Sequence, residues 1–432
     1  MPYTLYEMAD GREFYYDTTD NSLYNNGGEL LSLPPLQSDD WYKEEAAHHG
    51  KATKTNQPLA VRLLLGHACN YSCTYCMQKD IGNPLERARN YQLDKFKEEF
   101  NANLDLSRLK RVELWGGEPF LYWKDMVEIM DMLDHPDREF FISTNGSPLS
   151  QKHVDYFAQM KAVVLINISH DGPGHERLRG EDILKNIKKV NIIQQLKNLY
   201  PRVQMGFGCV VSKSNYDLFA INDYFKTFAE GNGIENLKIT YIPAKNYDAT
   251  NSQNSADHVI NGEDLVKFNA VLGTFINACM NDMEHKVILK NNIVDSEEGV
   301  LQFAMFLKNQ APITTRTGCG ADSDDVLSLD LKGNVRLCPH TDESYISGHI
   351  NKIELVDISK LDLDRKNNHC FKCPFKRLCR SSCPIKFPDE VFLSNCRFEK
   401  VWWGNIQSAA MKLLFGQEVK MMKVGLDEIK YH

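Results

Sequence analysis

Cys69, Cys73 and Cys76 stand in one short run, Cys69-Asn70-Tyr71-Ser72-Cys73-Thr74-Tyr75-Cys76. Thiolates are soft ligands that suit iron, and a C-x3-C-x2-C loop is short enough to turn all three inward on a [4Fe–4S] cube. Three protein ligands leave the fourth iron open to a small molecule. Zinc is the competing chemistry, but zinc sites gather four ligands from paired short spacings. A second cysteine field lies near the other end. Seven of the twelve cysteines fall between Cys319 and Cys396: Cys319, Gly333-x4-Cys338, then Cys370-x2-Cys373-x5-Cys379-x3-Cys383, then Cys396. Seven thiolates are one short of two four-thiolate cubes. Cys209 and Cys279 stand apart. Cys279 reads as a core residue on a helix. Cys209 reads as a buried structural thiol, with a hydrogen donor facing a barrel interior as the alternative.

The elements that must position these residues alternate from residue 61 onward. Val61-Arg62-Leu63-Leu64-Leu65 reads as a buried strand running into the first cysteine loop. Strands are expected over Arg111–Trp115, Glu139–Ser143, Val163–Ile168, Val203–Val211 and Leu237–Ile242. Helices between them are expected over Leu93–Leu104, Trp123–Leu133, Gln151–Met160, Ile183–Leu199 and Leu218–Ala229. Six strands joined by long crossovers imply right-handed βαβ units and a parallel sheet, an α/β fold of partial (β/α)6 TIM-like barrel type, open on one side. Active sites of such barrels gather at the C-terminal strand ends, where the cysteine loop leaves the first strand. Residues 1–60 form an N-terminal extension in which Arg12–Asp17 and Ser22–Tyr24 pair as a small hairpin. Residues 61–310 make the barrel with bridging helices over Gly262–Met283 and Ser296–Asn309, preceded by a polar linker, Asn246–Asp257. Residues 311–398 are the cysteine-rich domain. Residues 399–432 are a C-terminal helix, Glu399–Phe415, and a tail, with Trp402-Trp403 as a packing face.

Bulk properties exclude several classes. A net charge of −8 and a pI near 5.9 leave no basic footprint for nucleic acid. No apolar run is long enough to span a membrane, and the first residues carry no export signal. Cysteine-rich chains without an export signal are metal or redox proteins more often than disulfide scaffolds, so the expected compartment is the cytoplasm.

An iron left open can bind the amino and carboxylate groups of S-adenosylmethionine (SAM). The cysteine spacing, with Tyr75 just before the last cysteine, resembles the signature of the radical SAM superfamily. That resemblance implies one-electron cleavage of SAM to a 5'-deoxyadenosyl radical. Gly116-Gly117-Glu118-Pro119, after the second barrel strand, resembles the family motif that holds the methionine amino group. Asn145 in Ser143-Thr144-Asn145-Gly146, and Ser169 and Asp171 in Ser169-His170-Asp171-Gly172, resemble segments lining the SAM ribose and the substrate cavity. Tyr75 corresponds to the aromatic near the adenine. Arg177 or Arg179 is a partner for the SAM carboxylate, and spacing does not choose between them.

The second field is similar to the SPASM extension, which carries auxiliary Fe–S clusters in a subset of this superfamily. By that resemblance Cys370, Cys373, Cys379 and Cys396 hold one auxiliary cluster. Cys319, Cys338 and Cys383 hold the other, short of one ligand. Asp325, in a stretch with Asp322 and Asp324, or His340 or water supplies that ligand, or the iron stays open to substrate. His340, Asp325 and Cys209 are also the candidate catalytic residues.

Three functions follow. The first is oxidation of a peptide or small-protein side chain to a crosslink, thioether or similar product, with electrons from a donor such as flavodoxin or ferredoxin. Sulfatase maturases place an Asp directly after the cysteine of the Gly-x4-Cys step, where this chain has Pro339-His340, so formylglycine formation is not expected. The second is modification of a small molecule such as an amino acid or sugar. The third is a non-catalytic Fe–S or zinc scaffold. Peptide enzymes of this kind often carry a leader-binding domain longer than the N-terminal extension here.

Overall fold

Period-two burial runs through the strands and sorts their side chains onto two faces. The structure, a computed structural model, describes residues 3–18, 21–31, 53–78, 91–235, 237–245, 257–281, 300, 303–304, 307–308, 319–358, 361–362, 370, 373–380, 383–386, 388–424 and 427–430. Strands β1 (Tyr3–Met8), β2 (Glu13–Asp17) and β3 (Ser22–Asn25) precede the barrel. The barrel strands are β4 (Ala60–Leu64), β5 (Arg111–Trp115), β6 (Glu139–Thr144), β7 (Val163–Ser169), β8 (Val203–Val211) and β9 (Lys238–Pro243). Between and after them come helices α1 (Leu93–Asn103), α2 (Trp123–Leu133), α3 (Gln151–Phe157), α4 (His175–Leu178), α5 (Ile187–Asn198), α6 (Leu218–Gly231) and α7 (Gly262–Asn281). The cysteine-rich region contributes β10 (Val326–Asp330), β11 (Asn334–Arg336), β12 (Ile346–His349), α8 (Lys376–Cys379) and α9 (Asp389–Phe415). Two last strands follow, β13 (Val419–Val424) and β14 (Asp427–Lys430).

β4 to β9 lie side by side in sequence order, all parallel, as the alternation implies. Each strand turns one face to the helix layer. On β8 the outward residues Val203, Met205, Phe207, Cys209 and Val211 are buried, and Phe207 packs on Phe225 of α6 with centroids 5.1 Å apart. α2 presents Met126, Ile129, Met130 and Leu133 at helical spacing to the same core. The expected helix Ile183–Leu199 is broken near its start. Asn186 accepts from the Lys188 N–H and caps α5, leaving a separate 3-10 turn over Ile183–Lys185.

The barrel's first edge is not free. β10 pairs parallel to β4, from Val326↔Ala60 to Asp330↔Leu64, and β11 and β12 extend the sheet antiparallel. The cysteine-rich region therefore continues the barrel sheet to nine strands.

The expected hairpin forms as β2 and β3, inside a larger sheet. β1 pairs with β2 on one side and with β13 on the other, giving the order β14-β13-β1-β2-β3. The segment after Phe415 is thus two strands, not a tail, and the last helix begins at Asp389, not Glu399. The early start puts Cys396 on α9. Trp402 does pack, in a stack with Phe268 of α7 and Phe398 at 5.2–6.1 Å. The expected linker, save Asp257, lies outside the described residues. So does most of the expected helix Ser296–Asn309, although Phe303 is buried edge-on to Tyr16. No helix among the described residues is long and apolar enough to cross a membrane.

Tyr6 joins the two chain ends to the core. Its hydroxyl donates to Gln407 Oε1 (2.6 Å), and Gln407 donates to the Pro374 carbonyl (2.8 Å) beside Cys373. Tyr6→Phe leaves a fully buried amide oxygen without that donor. The expected loss is about 1–3 kcal/mol, read as a lower urea midpoint.

Candidate functional site

The cysteine loop leaves β4 at Leu65 and is held by the exit of β5. Gly117 N–H donates to Gly66 O (3.0 Å), and Glu118 N–H donates to Ala68 O (2.9 Å). A Cβ on Gly117 would fall 2.4 Å from His67 O and 2.5 Å from Ala68 O, and one on Gly116 would fall 2.9 Å from Gly66 O. The close approach these glycines permit is therefore to the backbone that leads into Cys69. Gly66 makes a similar contact with the Tyr122 ring, and the Tyr122 hydroxyl accepts from the Ala68 N–H at 2.9 Å. Pro119 opens the 3-10 turn that follows and is buried.

Glu118 turns inward and is fully buried. It accepts from Phe120 N–H (3.1 Å), Thr144 Oγ1 (2.7 Å) and Asn145 N–H (2.7 Å). Burial pushes its carboxyl up to about 7 against those three hydrogen bonds. A carboxylate has about four acceptor positions, so one remains. Asn145 also donates through Nδ2 to Asn70 Oδ1 (2.9 Å), which ties the end of β6 to the cysteine loop.

The loop is gripped from the far side by β7. Asp171 is fully buried and takes the Tyr75 hydroxyl, Arg179 (2.9 and 3.2 Å) and the Val210 N–H (2.9 Å). Arg179 lies over the Tyr75 ring at 5.3 Å. Burial works against its charge, but Asp171, Tyr75 and Cys73 more than offset that and hold it protonated. Arg177 instead donates to the Ser214 carbonyl. Of the two arginines, the fold brings Arg179 into the site. Behind Asp171, His170 and His175 stack at 3.9 Å. His170 Nδ1 accepts from the Gly172 N–H, so Nε2 carries the proton toward Asp182 (2.8 Å), which also takes the Tyr224 hydroxyl.

Burial raises Cys69 above the usual thiol range and Cys73 up to about 12, with the neighbouring thiols adding to the shift. A cationic iron is the partner that makes such buried thiolates favourable. Mutual electrostatic influence sorts the other cysteines too. Cys338 feels Cys383 and Cys319, whereas Cys373 and Cys379 feel Cys370, and Cys396 feels Cys370. Lys245, just past β9 and paired with Glu399 (2.6 Å), influences both Cys379 and Cys383. Among the described residues no three His, Cys, Asp or Glu side chains converge on a single metal ion. A cube does not require that convergence, since each thiolate binds a different iron.

The inner barrel wall lies between the first set and the set containing Cys338. Arg62 pairs with Glu113 (2.8 Å), Arg111 with Glu113 (2.9 Å) and Glu139 (2.6 Å), and Trp115 Nε1 donates to Glu113 (3.0 Å). The His340 ring stands edge-on to Trp115 at 4.8 Å, and its buried Nδ1 has no partner. Its main-chain N–H donates to Cys338 Sγ (3.4 Å). Ser169 is half-buried on the inward face of β7. Gly208 follows on the inward face of β8, where a Cβ would fall 2.6 Å from Asn167 Nδ2. Cys209 points the other way, fully buried with the helix-side core. Asp325 is buried, its carbonyl accepting from the Leu59 and Ala60 N–H groups. Cys279 packs half-buried against the core. The spacing did not reveal Thr144, Tyr122 or the His170–Asp182–Tyr224 relay; the inward parity of Trp115 on β5 was the available signal for that residue.

Residues 63–210 match the family model described as the Radical SAM superfamily. The radical SAM cyclopropyl synthase TigE of Paramaledivibacter caminithermalis is 23% identical over 239 residues, 50% of this chain and 47% of TigE. YydG of Bacillus subtilis, a putative peptide biosynthesis protein, is 24% identical over 187 residues, 42% of this chain and 54% of YydG. The chain thus matches about half the length of each. GTP 3',8-cyclase of Actinobacillus pleuropneumoniae is 27% identical over 138 residues, 31% of this chain and 39% of that enzyme. Among solved structures, anSMEcpe with bound AdoMet superposes with a TM-score of 0.56 at 16% identity, covering 82% of this chain and 95% of that one. The same enzyme with AdoMet and the Cp18Cys peptide gives 0.53 at 16% identity, covering 82% and 99%. At these identities the likeness is one of fold.

Two outcomes test the site. Gly117→Ala forces the cysteine loop off β5, and iron bound after reconstitution should fall by up to about four per chain. Glu118, raised from 4.5 to about 7, keeps a proton when folded that the unfolded chain has already released. Its contribution to stability is therefore present below about 4.5 and lost as pH rises through about 7. Glu118→Gln should flatten the stability curve across that window, and an unchanged slope would show that the folded carboxyl is ionised there.

Proposed function

We propose that this enzyme oxidatively modifies a peptide or protein side chain; its residues 63–210 match the Radical SAM superfamily, a family that works with a [4Fe–4S] cluster and SAM. The observation that supports the reading is the contact of the Cys338-Pro339-His340 turn with the inner barrel wall, where the His340 ring stands edge-on to Trp115. Cys69, Cys73 and Cys76 would hold the SAM cluster. Cys370, Cys373, Cys379 and Cys396 would hold one auxiliary cluster, and Cys319, Cys338 and Cys383 the other. When bound, the first cluster and SAM would supply abstraction of a hydrogen atom, and an auxiliary cluster would supply an acceptor for the second electron, the accompanying proton passing to a base.

The chain's own residues bind and orient. Arg179 keeps a fixed positive charge beside Cys73, held in place by Asp171 and the stacked histidines. Glu118 offers its remaining acceptor position to an ammonium, and Tyr75 presents an aromatic face. Gly116, Gly117, Pro119 and Asn145 fix the loop, and Ser169 lies on the inward wall. Arg62 and Arg111 are neutralised by Glu113 and Glu139, so the floor of the barrel is polar without strong net charge.

The relatives' names support a peptide substrate: YydG is a putative peptide biosynthesis protein, and anSMEcpe binds a peptide. A reduced protein such as flavodoxin or ferredoxin would supply electrons, in the cytoplasm. The matches to GTP 3',8-cyclases favour a second reading, a small-molecule substrate in the same barrel.

Reconstituted protein should carry about twelve irons and twelve sulfides, three cubes' worth. Reduced with SAM it should form 5'-deoxyadenosine, and the triple change of Cys69, Cys73 and Cys76 to Ala should abolish this while auxiliary iron stays. Co-expression with short peptides encoded near its gene should give a product lighter by two hydrogen atoms. Deoxyadenosine formation undiminished in the triple variant would overturn the assignment of the cluster, and turnover of a nucleotide or sugar without any peptide product would favour the second reading.

A further inference from the structure

Lys54 is a buried lysine that none of the chemistry above uses. It lies in the short segment before β4, only 6% exposed. Its ammonium donates to three main-chain carbonyls of one loop: Ala321 (2.8 Å), Ser323 (2.5 Å) and Val326 (3.0 Å). That loop begins at Cys319 and ends in β10. The same segment adds main-chain bonds, from Thr55 N–H to Asp324 O (2.9 Å) and from Leu59 N–H to Asp325 O (2.8 Å). An ammonium has three donors, and here all three go to carbonyls of this loop and of the first residue of β10. Burial lowers its pKa to about 8 with help from Arg62, while Asp322, Cys319 and Asp324 favour the charge.

We infer that Lys54 is the positioning residue of the three-thiolate auxiliary site, stapling the loop that carries Cys319 to the barrel edge and setting a positive charge beside that cluster. The inference rests on the auxiliary-cluster reading above. Two physical arguments support it. Lys54 is a shared donor to three carbonyls of the 319–326 segment, so removing the ammonium costs that segment three hydrogen bonds and loosens its hold on the chain before β4. A nearby positive charge favours the more negative, reduced state of an Fe–S cluster, so it raises the reduction potential. The site with three cysteines is the one in which a displaced thiolate would matter most.

Lys54→Met keeps the length of the side chain and removes both donors and charge. In the iron-free protein, hydrogen exchange of the main-chain amides over residues 319–326, read by mass spectrometry, should be at least about fivefold faster than in the parent, with residues 389–415 unchanged. After reconstitution, iron and sulfide should fall by about a third, and the spectral change of the Cys69–Cys76 set on adding SAM should persist. Lys54→Gln keeps a donor without the charge. It should load iron, and its auxiliary signals, followed by EPR during a redox titration, should show one midpoint moved to lower potential. Parental hydrogen exchange over residues 319–326 in Lys54→Met, or full iron and unmoved midpoints in Lys54→Gln, would overturn the inference. If Lys54→Met loses every cluster, the Lys54→Gln midpoints decide. A parent protein binding only about four irons would instead overturn the auxiliary-cluster reading itself.

Discussion

Backbone packs directly on backbone where β5 leaves the sheet, and the site depends on that contact. The Gly117 position lies so near His67 O and Ala68 O that any side chain would displace the loop entering Cys69. Two main-chain hydrogen bonds then fix the loop to the strand exit. The next residue, Glu118, carries the constraint onward by collecting the end of β6 through Thr144 and Asn145. Four residues thus hold three neighbouring strand ends and the cysteine loop in one arrangement. Preorganisation of this kind lets a loop present thiols without first having to order itself.

A second constraint is charge. Asp171 and Arg179 are both buried, and each would be costly alone. They are kept together by bonds from elements distant in sequence: Tyr75 from the cysteine loop, Val210 from β8 and Asn215 beyond it. The stacked, neutral His170 and His175 fill the space behind without adding charge, because burial lowers both. The result is a fixed cation beside the thiols whose position is set by the fold and not by solvent.

The C-terminal region is built onto the barrel, not appended to it. β10 lies parallel on β4, the strand that delivers the first cysteines; the loop after Cys319 enters β10 beside Ala60, and Cys69 follows β4 beyond Leu64. α9 carries Cys396 and buries Trp402 against α7, while β13 closes on β1. Both ends of the chain therefore support the cysteine-rich region, through Tyr6 and Gln407 on one side and through Lys54 on the other.

Much of this was legible in the residues. Apolar alternation located β4 to β9 to within a residue or two, because strand periodicity is local and the helices between them follow their own period. Thiol spacing located the first cysteine set for a similar reason: a short loop admits few arrangements. The grouping of the seven later cysteines came from resemblance. What the tertiary structure decided was direction and partnership. Nothing in the spacing of Arg177 and Arg179 tells which faces Asp171, and whether Cys209 faces inward depends on which side of β8 the helices cover. The chain ends joining in one sheet, β10 pairing with β4, and Lys54 reaching three carbonyls more than 260 residues away are all long-range contacts. Local sequence carries period and reach, but it holds no record of which distant backbone will come to lie beside it. That is set only when the whole chain buries its core at once.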